Sequence, residues 1–91
     1  MDDARRVARA LVEARLAACV QLDTIEASFY RWEGKLCEEA EVRLTIKTSP
    51  AKVEEIGAFF DEHHPYDVPQ FIAAPCTASQ AYAAWVAGEL A

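Results

Sequence analysis

The sequence predicts an α+β protein built as one domain, and three observations carry that reading. Residues after the N-terminus repeat apolar side chains at helical spacing, the run Glu41-Val42-Arg43-Leu44-Thr45-Ile46-Lys47-Thr48 alternates apolar and polar as a strand does, and Ser49-Pro50 opens a second helical pattern. With 91 residues, 53% hydrophobic and 26% charged, the chain has material for one core only.

The elements follow in order. Asp2 or Asp3 can cap a first helix whose apolar stripe is Ala4, Val7, Ala8, Leu11, Val12 and Leu16, with Arg5, Arg6, Arg9 and Glu13 on the other side. Cys19-Val20-Gln21-Leu22 and the aromatic-rich Ala27-Ser28-Phe29-Tyr30-Arg31-Trp32 read as a strand with an interruption. Glu33-Gly34 is the turn of a hairpin, because Gly34 takes positive φ without a steric cost. The return strand places Val42, Leu44 and Ile46 on the core side, with Glu41, Arg43, Thr45 and Lys47 outward. This hairpin is long for so small a domain, and its tip with Tyr30 and Trp32 calls for a covering surface such as another subunit.

Ser49 caps a second helix with Pro50 at its first position and Val53, Ile56 and Phe60 as its buried stripe. Pro65 stops it, and His63-His64-Pro65-Tyr66-Asp67-Val68-Pro69 forms a rigid helix-to-strand connector. Phe71 to Ala74 reads as a further strand, and Ser79 caps a final helix carrying Tyr82, Trp85, Val86 and Leu90. The order helix, strand, strand, helix, strand, helix lacks only an initial strand to be the ferredoxin-like βαββαβ pattern plus a terminal helix.

Composition narrows the function classes. The net charge is −6, and no Lys or Arg follows Lys52, so the C-terminal part is anionic. Nucleic acid is disfavoured as a partner, since phosphate binding needs clustered cations, while solubility and cations are favoured. No apolar run approaches membrane-spanning length and the N-terminus carries no secretory pattern, so the expected location is cytoplasmic. Cys19, Cys37 and Cys76 are widely spaced and odd in number, which argues against a disulfide framework or zinc ribbon and fits a reducing compartment.

Four ordered motifs, Leu16-Ala17-Ala18-Cys19-Val20, Tyr30-Arg31-Trp32-Glu33-Gly34-Lys35, Ile46-Lys47-Thr48 and His64-Pro65-Tyr66-Asp67-Val68-Pro69, resemble those of the CutA family of divalent-cation tolerance proteins. Tyr82 and Trp85 fit as well, so the resemblance covers nearly all of residues 1–91. It implies a ferredoxin-like fold assembled as a homotrimer through long hairpins, a link to copper and divalent-cation tolerance, no established enzymatic reaction, and an architecture similar to the PII signalling trimers. Family members open with an apolar central strand that this chain lacks before its first helix. The expectation is therefore a trimmed or misassigned start, or rearranged strand pairing.

The resemblance also implies a metal site at His63 and His64 for Cu(II) or another divalent cation, short of the cysteine that the family draws from the absent strand. Without the family, adjacent histidines are a weak chelating signal, since ligand pairs on helices sit at i and i+4; at a helix end Asp61, Glu62 or Asp67 can join them. Trp32, Glu33, Lys47, Tyr66 and Asp67 are candidates for an inter-subunit cleft, where a Lys47-carboxylate pair would fix the interface or hold a small anion. Cys19 reads as a small buried hydrophobe or a thiol at a helix–strand junction, and Trp32, Tyr66 and Trp85 read as packing or as a ligand platform. No spacing supports a nucleophile with an oriented base, so the chain is not expected to be an enzyme. Three classes follow: a cation-tolerance module, a PII-like small-ligand signalling trimer, and a structural scaffold.

Overall fold

A computed structural model describes residues 2–63 and 70–91. Its elements are α1 (Asp2–Glu13), β1 (Cys19–Trp32), β2 (Lys35–Lys47), a 3-10 turn at Pro50–Lys52 leading into α2 (Val53–His63), and α3 (Gln80–Leu90). The two strands pair antiparallel into a two-stranded sheet, with Cys19 opposite Lys47 at the base and Trp32 opposite Lys35 at the tip.

Helix α1 buries Val7 and Leu11 and carries Asp2 and Asp3 in its first turn, where carboxylates favour the positive end of the helix. Its expected stripe continued to Leu16, but the helix ends at Glu13. Arg15 takes a left-handed φ of 60°, the Arg15 amide donates to Val12 (3.1 Å) and the Leu16 amide to Leu11 (3.0 Å). That pair of bonds closes a helix C-terminus of the kind usually made with glycine, and Leu16 then folds back against the core.

The strand expected to be interrupted is continuous and carries a β-bulge between Ile25 and Ser28. Glu26 and Ala27 stand against one residue of β2, and the extra residue flips the parity of β1 beyond it. Val20 and Leu22 lie opposite Ile46 and Leu44 on the helix-facing side, whereas Tyr30 and Trp32 lie opposite Cys37 and Lys35 on the other side. At the tip, Glu33 (φ 51°) and Gly34 (φ 78°) both have positive φ, the signature of the tight two-residue turn that matches strand twist.

Val7, Leu11, Ala17 and Ile56 form the core, and Leu16, Val20, Leu44, Ile46, Phe59 and Phe60 pack around it. Helices α1 and α2 therefore share one face of the sheet near its base. Thr48 locks the end of β2 to this core by donating from Oγ1 to the Leu16 carbonyl (2.7 Å). Ser49 precedes Pro50 as expected but makes no side-chain cap, whereas the Ser79 hydroxyl accepts from the Tyr82 amide at 3.2 Å and does cap α3.

The strand expected at Phe71 to Ala74 is not formed among the described residues. Among the described residues β1 and β2 pair only with each other, and the open edge that each leaves is not taken up by this segment. Phe71 instead rests on α2, its ring 5.9 Å from that of Phe60 and against the backbone of Gly57. Rearranged pairing does not replace the expected initial strand among the described residues.

Candidate functional site

The sequence placed its candidate chemistry at the end of α2 and along the hairpin, and the structure separates these groups. His63 is the last residue of α2; His64, Tyr66 and Asp67 lie outside the described residues. Asp61 and Glu62 stand exposed in the final turn beside His63, and among the described residues neither carboxylate forms an ion pair. The C-terminus of a helix concentrates partial negative charge on its last carbonyls, so two unneutralised carboxylates there add to a field that attracts cations. Among the described residues no group of three or more His, Cys, Asp or Glu side chains converges as a metal cage. The donor types at the α2 terminus, imidazole and carboxylate, nonetheless suit Cu(II) and other divalent first-row cations.

Cys19 and Lys47 are direct partners across the base of the ladder, where the Ala18 amide also donates to the Lys47 carbonyl at 2.9 Å. Cys19 is a half-buried free thiol. The Lys47 ammonium donates to Gln21 Oε1 (2.8 Å) rather than to a carboxylate, which leaves it half-buried and bound to a neutral partner. One step further out, Arg43 makes two bonds to Asp23, at 3.2 and 2.8 Å. The hydrogen bonds from Asp23 and its charge hold the Arg43 guanidinium above its ordinary pKa.

Trp32 and Glu33 sit at the opposite end of the hairpin, twelve strand positions or ~40 Å from Lys47 at about 3.3 Å per residue. Within one chain, then, the expected cleft residues Trp32, Glu33 and Lys47 are not brought together. Near the tip, Tyr30 lies beside Cys37 and Glu39, and desolvation together with the Glu39 carboxylate pushes the phenol above its ordinary pKa.

Two features escaped the sequence reading. An open groove of about 600 Å³ runs between α1 and β1, lined by Ala8, Val12, Val20 and Leu22 together with Arg5, Arg9 and Glu13. The i, i+4 spacing of the two arginines was its visible trace, but the apolar floor comes from a strand distant in sequence. The second is the link from Arg15, whose guanidinium donates to the Glu89 carbonyl (2.9 Å) and so binds the end of α3 to the α1–β1 turn.

Comparison with known proteins places the chain in a family. The profile of the CutA1 divalent ion tolerance protein family matches residues 1–89. Mouse Protein CutA is 46% identical over 72 residues, which cover 79% of this chain and 41% of the mouse protein, so the chain spans about two fifths of that relative. The structure of the periplasmic divalent cation tolerance protein CutA from Archaeoglobus fulgidus superposes with a TM-score of 0.96 at 30% identity, covering 100% of this chain and 89% of that one. A PII-like protein CutA from Nostoc, in apo form, superposes at 0.91 with 35% identity, covering 99% and 88%.

Proposed function

The chain belongs to the CutA1 divalent ion tolerance protein family, and we propose that it acts in divalent-cation tolerance by binding Cu(II) or a related cation at the C-terminal end of α2. The supporting observation is that Asp61 and Glu62, exposed and without an ion pair among the described residues, precede His63 at the negative pole of that helix. His63 and His64 would hold the ion, with a neighbouring carboxylate completing the set. The proposed ligands are imidazole and carboxylate alone, so the site is a nitrogen–oxygen one and binds weakly. The proposed role is binding rather than turnover, in line with a family named for tolerance.

The same proposal includes a ferredoxin-like homotrimer in the cytoplasm. Exposed apolar side chains at the hairpin tip, Phe29, Tyr30, Trp32 and Leu36, support assembly, and three free thiols fit a reducing compartment. In that trimer Trp32 and Glu33 of one subunit, separated from Lys47 in their own chain, can approach the Lys47, Tyr66 and Asp67 of another. Titration of the chain with Cu(II) by calorimetry should give one ion per chain, and His63→Ala or His64→Ala should weaken it at least tenfold. Affinity equal to that of the parent chain in both variants would refute the site.

A second reading, a PII-like small-ligand signalling trimer, is favoured by the likeness to the Nostoc protein. It predicts thermal stabilisation by a nucleotide or small carboxylate with no response to metal.

A further inference from the structure

From the groove between α1 and β1 we infer a second binding site, one for a free medium-chain fatty acid whose carboxylate meets Arg5 and Arg9. The acyl chain lies along Ala8, Val12, Val20 and Leu22. Helix α1 has a stripe beside its buried one: Arg5, Ala8, Arg9, Val12 and Glu13 follow i, i+3, i+4, i+7, i+8 spacing and all line the groove. Val12 belongs to the stripe expected to be buried, yet it is 42% exposed. On the strand side Leu22 is half-buried and stands outside the core that Val20 joins. Among the described residues no third strand pairs with β1, so this side of the groove stays open.

The two arginines have no partner within the chain. Arg6 pairs with Asp3 at 3.6 Å and Arg43 with Asp23 at 2.8 Å, whereas Arg5 and Arg9 form no ion pair among the described residues. Glu13 stands one turn after Arg9, in the weaker order for such a pair, and no ion pair forms between them. Like charges one turn apart disfavour a helix slightly, so this placement does not stabilise α1. In a chain of net charge −6 it sets two unpaired guanidiniums beside an apolar surface.

That combination selects an amphipathic anion. A guanidinium fork binds a carboxylate through two parallel N–H donors, and two arginines one turn apart can share its oxygens. Arg5 and Val12 are seven residues apart, ~10 Å along the helix axis at about 1.5 Å per residue, a seat that fits an acyl chain of medium length. The volume of about 600 Å³ lies in the range of small-molecule clefts. Because the groove is open, it suits a thin chain held by its head. Glu13 repels a carboxylate from the far end and so sets the direction of the ligand. Val20 and Leu22 belong to the base of the hairpin, far from Trp32, which keeps this seat apart from the tip.

The test is a titration of the isotope-labelled 91-residue chain with decanoate below its micelle concentration, read by amide NMR with circular dichroism as the folding control. The amides of Ala8, Arg9, Val12, Val20 and Leu22 should shift and saturate, and octanoate should bind roughly threefold more weakly, because each methylene taken from water favours binding. Acetate and the cation decyltrimethylammonium should not move them. Arg5→Gln combined with Arg9→Gln keeps good helix formers and should weaken decanoate about tenfold; Val12→Thr keeps the shape, adds a hydroxyl and should weaken it about threefold. Shifts that never saturate, an equal response to decyltrimethylammonium, or parent-like affinity in the double arginine variant would overturn the site. Acetate or inorganic phosphate binding as tightly as decanoate, or parent-like affinity in Val12→Thr, would overturn the acyl seat, and shifts confined to the hairpin tip or α3 would overturn its place. Should the double variant lose its helical signal, Arg9→Lys replaces it, keeping the charge without the fork, and is expected to weaken decanoate about threefold; unchanged affinity there overturns the site.

Discussion

The base and the tip of the hairpin belong to the same two strands, yet they are different materials. At the base, Val20, Leu44 and Ile46 pack beneath Leu11, Ala17 and Ile56, so the ladder is one wall of a core. At the tip, Phe29, Trp32 and Leu36 are exposed, and among the described residues no helix covers them. The ladder hydrogen bonds continue through both, which shows that backbone pairing sets the shape of the hairpin while burial sets where it is stable.

Two leucines express the contrast most strongly. Leu11 is 0% exposed, so Leu11→Ala should cost about 2–5 kcal/mol, with a fall in Tm that is the same at every chain concentration. Leu36 is 74% exposed, so Leu36→Ala should leave the fold of one chain within about 0.5 kcal/mol, its effect on Tm growing with concentration as assembly contributes. Thermal melts at several dilutions check both. Equal, concentration-independent losses would erase the distinction between base and tip.

A smaller effect comes from α2. A methyl group added at Gly57 meets the Phe71 ring at 4.0 Å, ordinary contact, so Gly57→Ala should raise stability by about 0.5–1 kcal/mol in a urea melt. Similar in size, Glu33→Asn should stabilise the tip turn by about 0.5 kcal/mol, since Asn tolerates the positive φ that Glu33 is forced to adopt. Because the tip is uncoupled from the core, that gain should appear as slower amide exchange in the hairpin more than in global Tm.

The smallest effect is electrostatic. Tyr30 titrates above the ordinary phenol value, so the folded chain holds its proton more tightly than the unfolded chain does. Stability from this group is complete below the unfolded value near 10 and is lost as pH rises through the folded one. Absorbance titration should show one phenol ionising late, a component absent in Tyr30→Phe.

Much of the fold was legible in side-chain periodicity. Val42, Leu44 and Ile46 alternate with polar neighbours and are half-buried as expected, and Ser79 caps α3 through its hydroxyl. What periodicity could not show was decided by backbone geometry or by distant partners. Arg15 ends α1 in a left-handed conformation with no glycine to announce it, and the bulge at Glu26 and Ala27 contains neither Gly nor Pro. Phe71 to Ala74 has the composition of a strand but joins no ladder among the described residues, although β1 and β2 each leave one edge unpaired; composition does not decide pairing. Of the candidate site, the acidic end of α2 was readable from Asp61-Glu62-His63, and Glu33 was correctly placed in a turn. Trp32 and Lys47, both expected at one cleft, lie at opposite ends of the hairpin, because β2 runs its full length between them.

Native mass spectrometry of the chain with and without one equivalent of Cu(II) tests the central claim, a hairpin-built assembly that carries a cation at the end of α2. The predicted result is a trimer that gains one copper per chain and loses it in His63→Ala. A monomer with or without copper would contradict the assembly, and a trimer that takes up no copper would contradict the site.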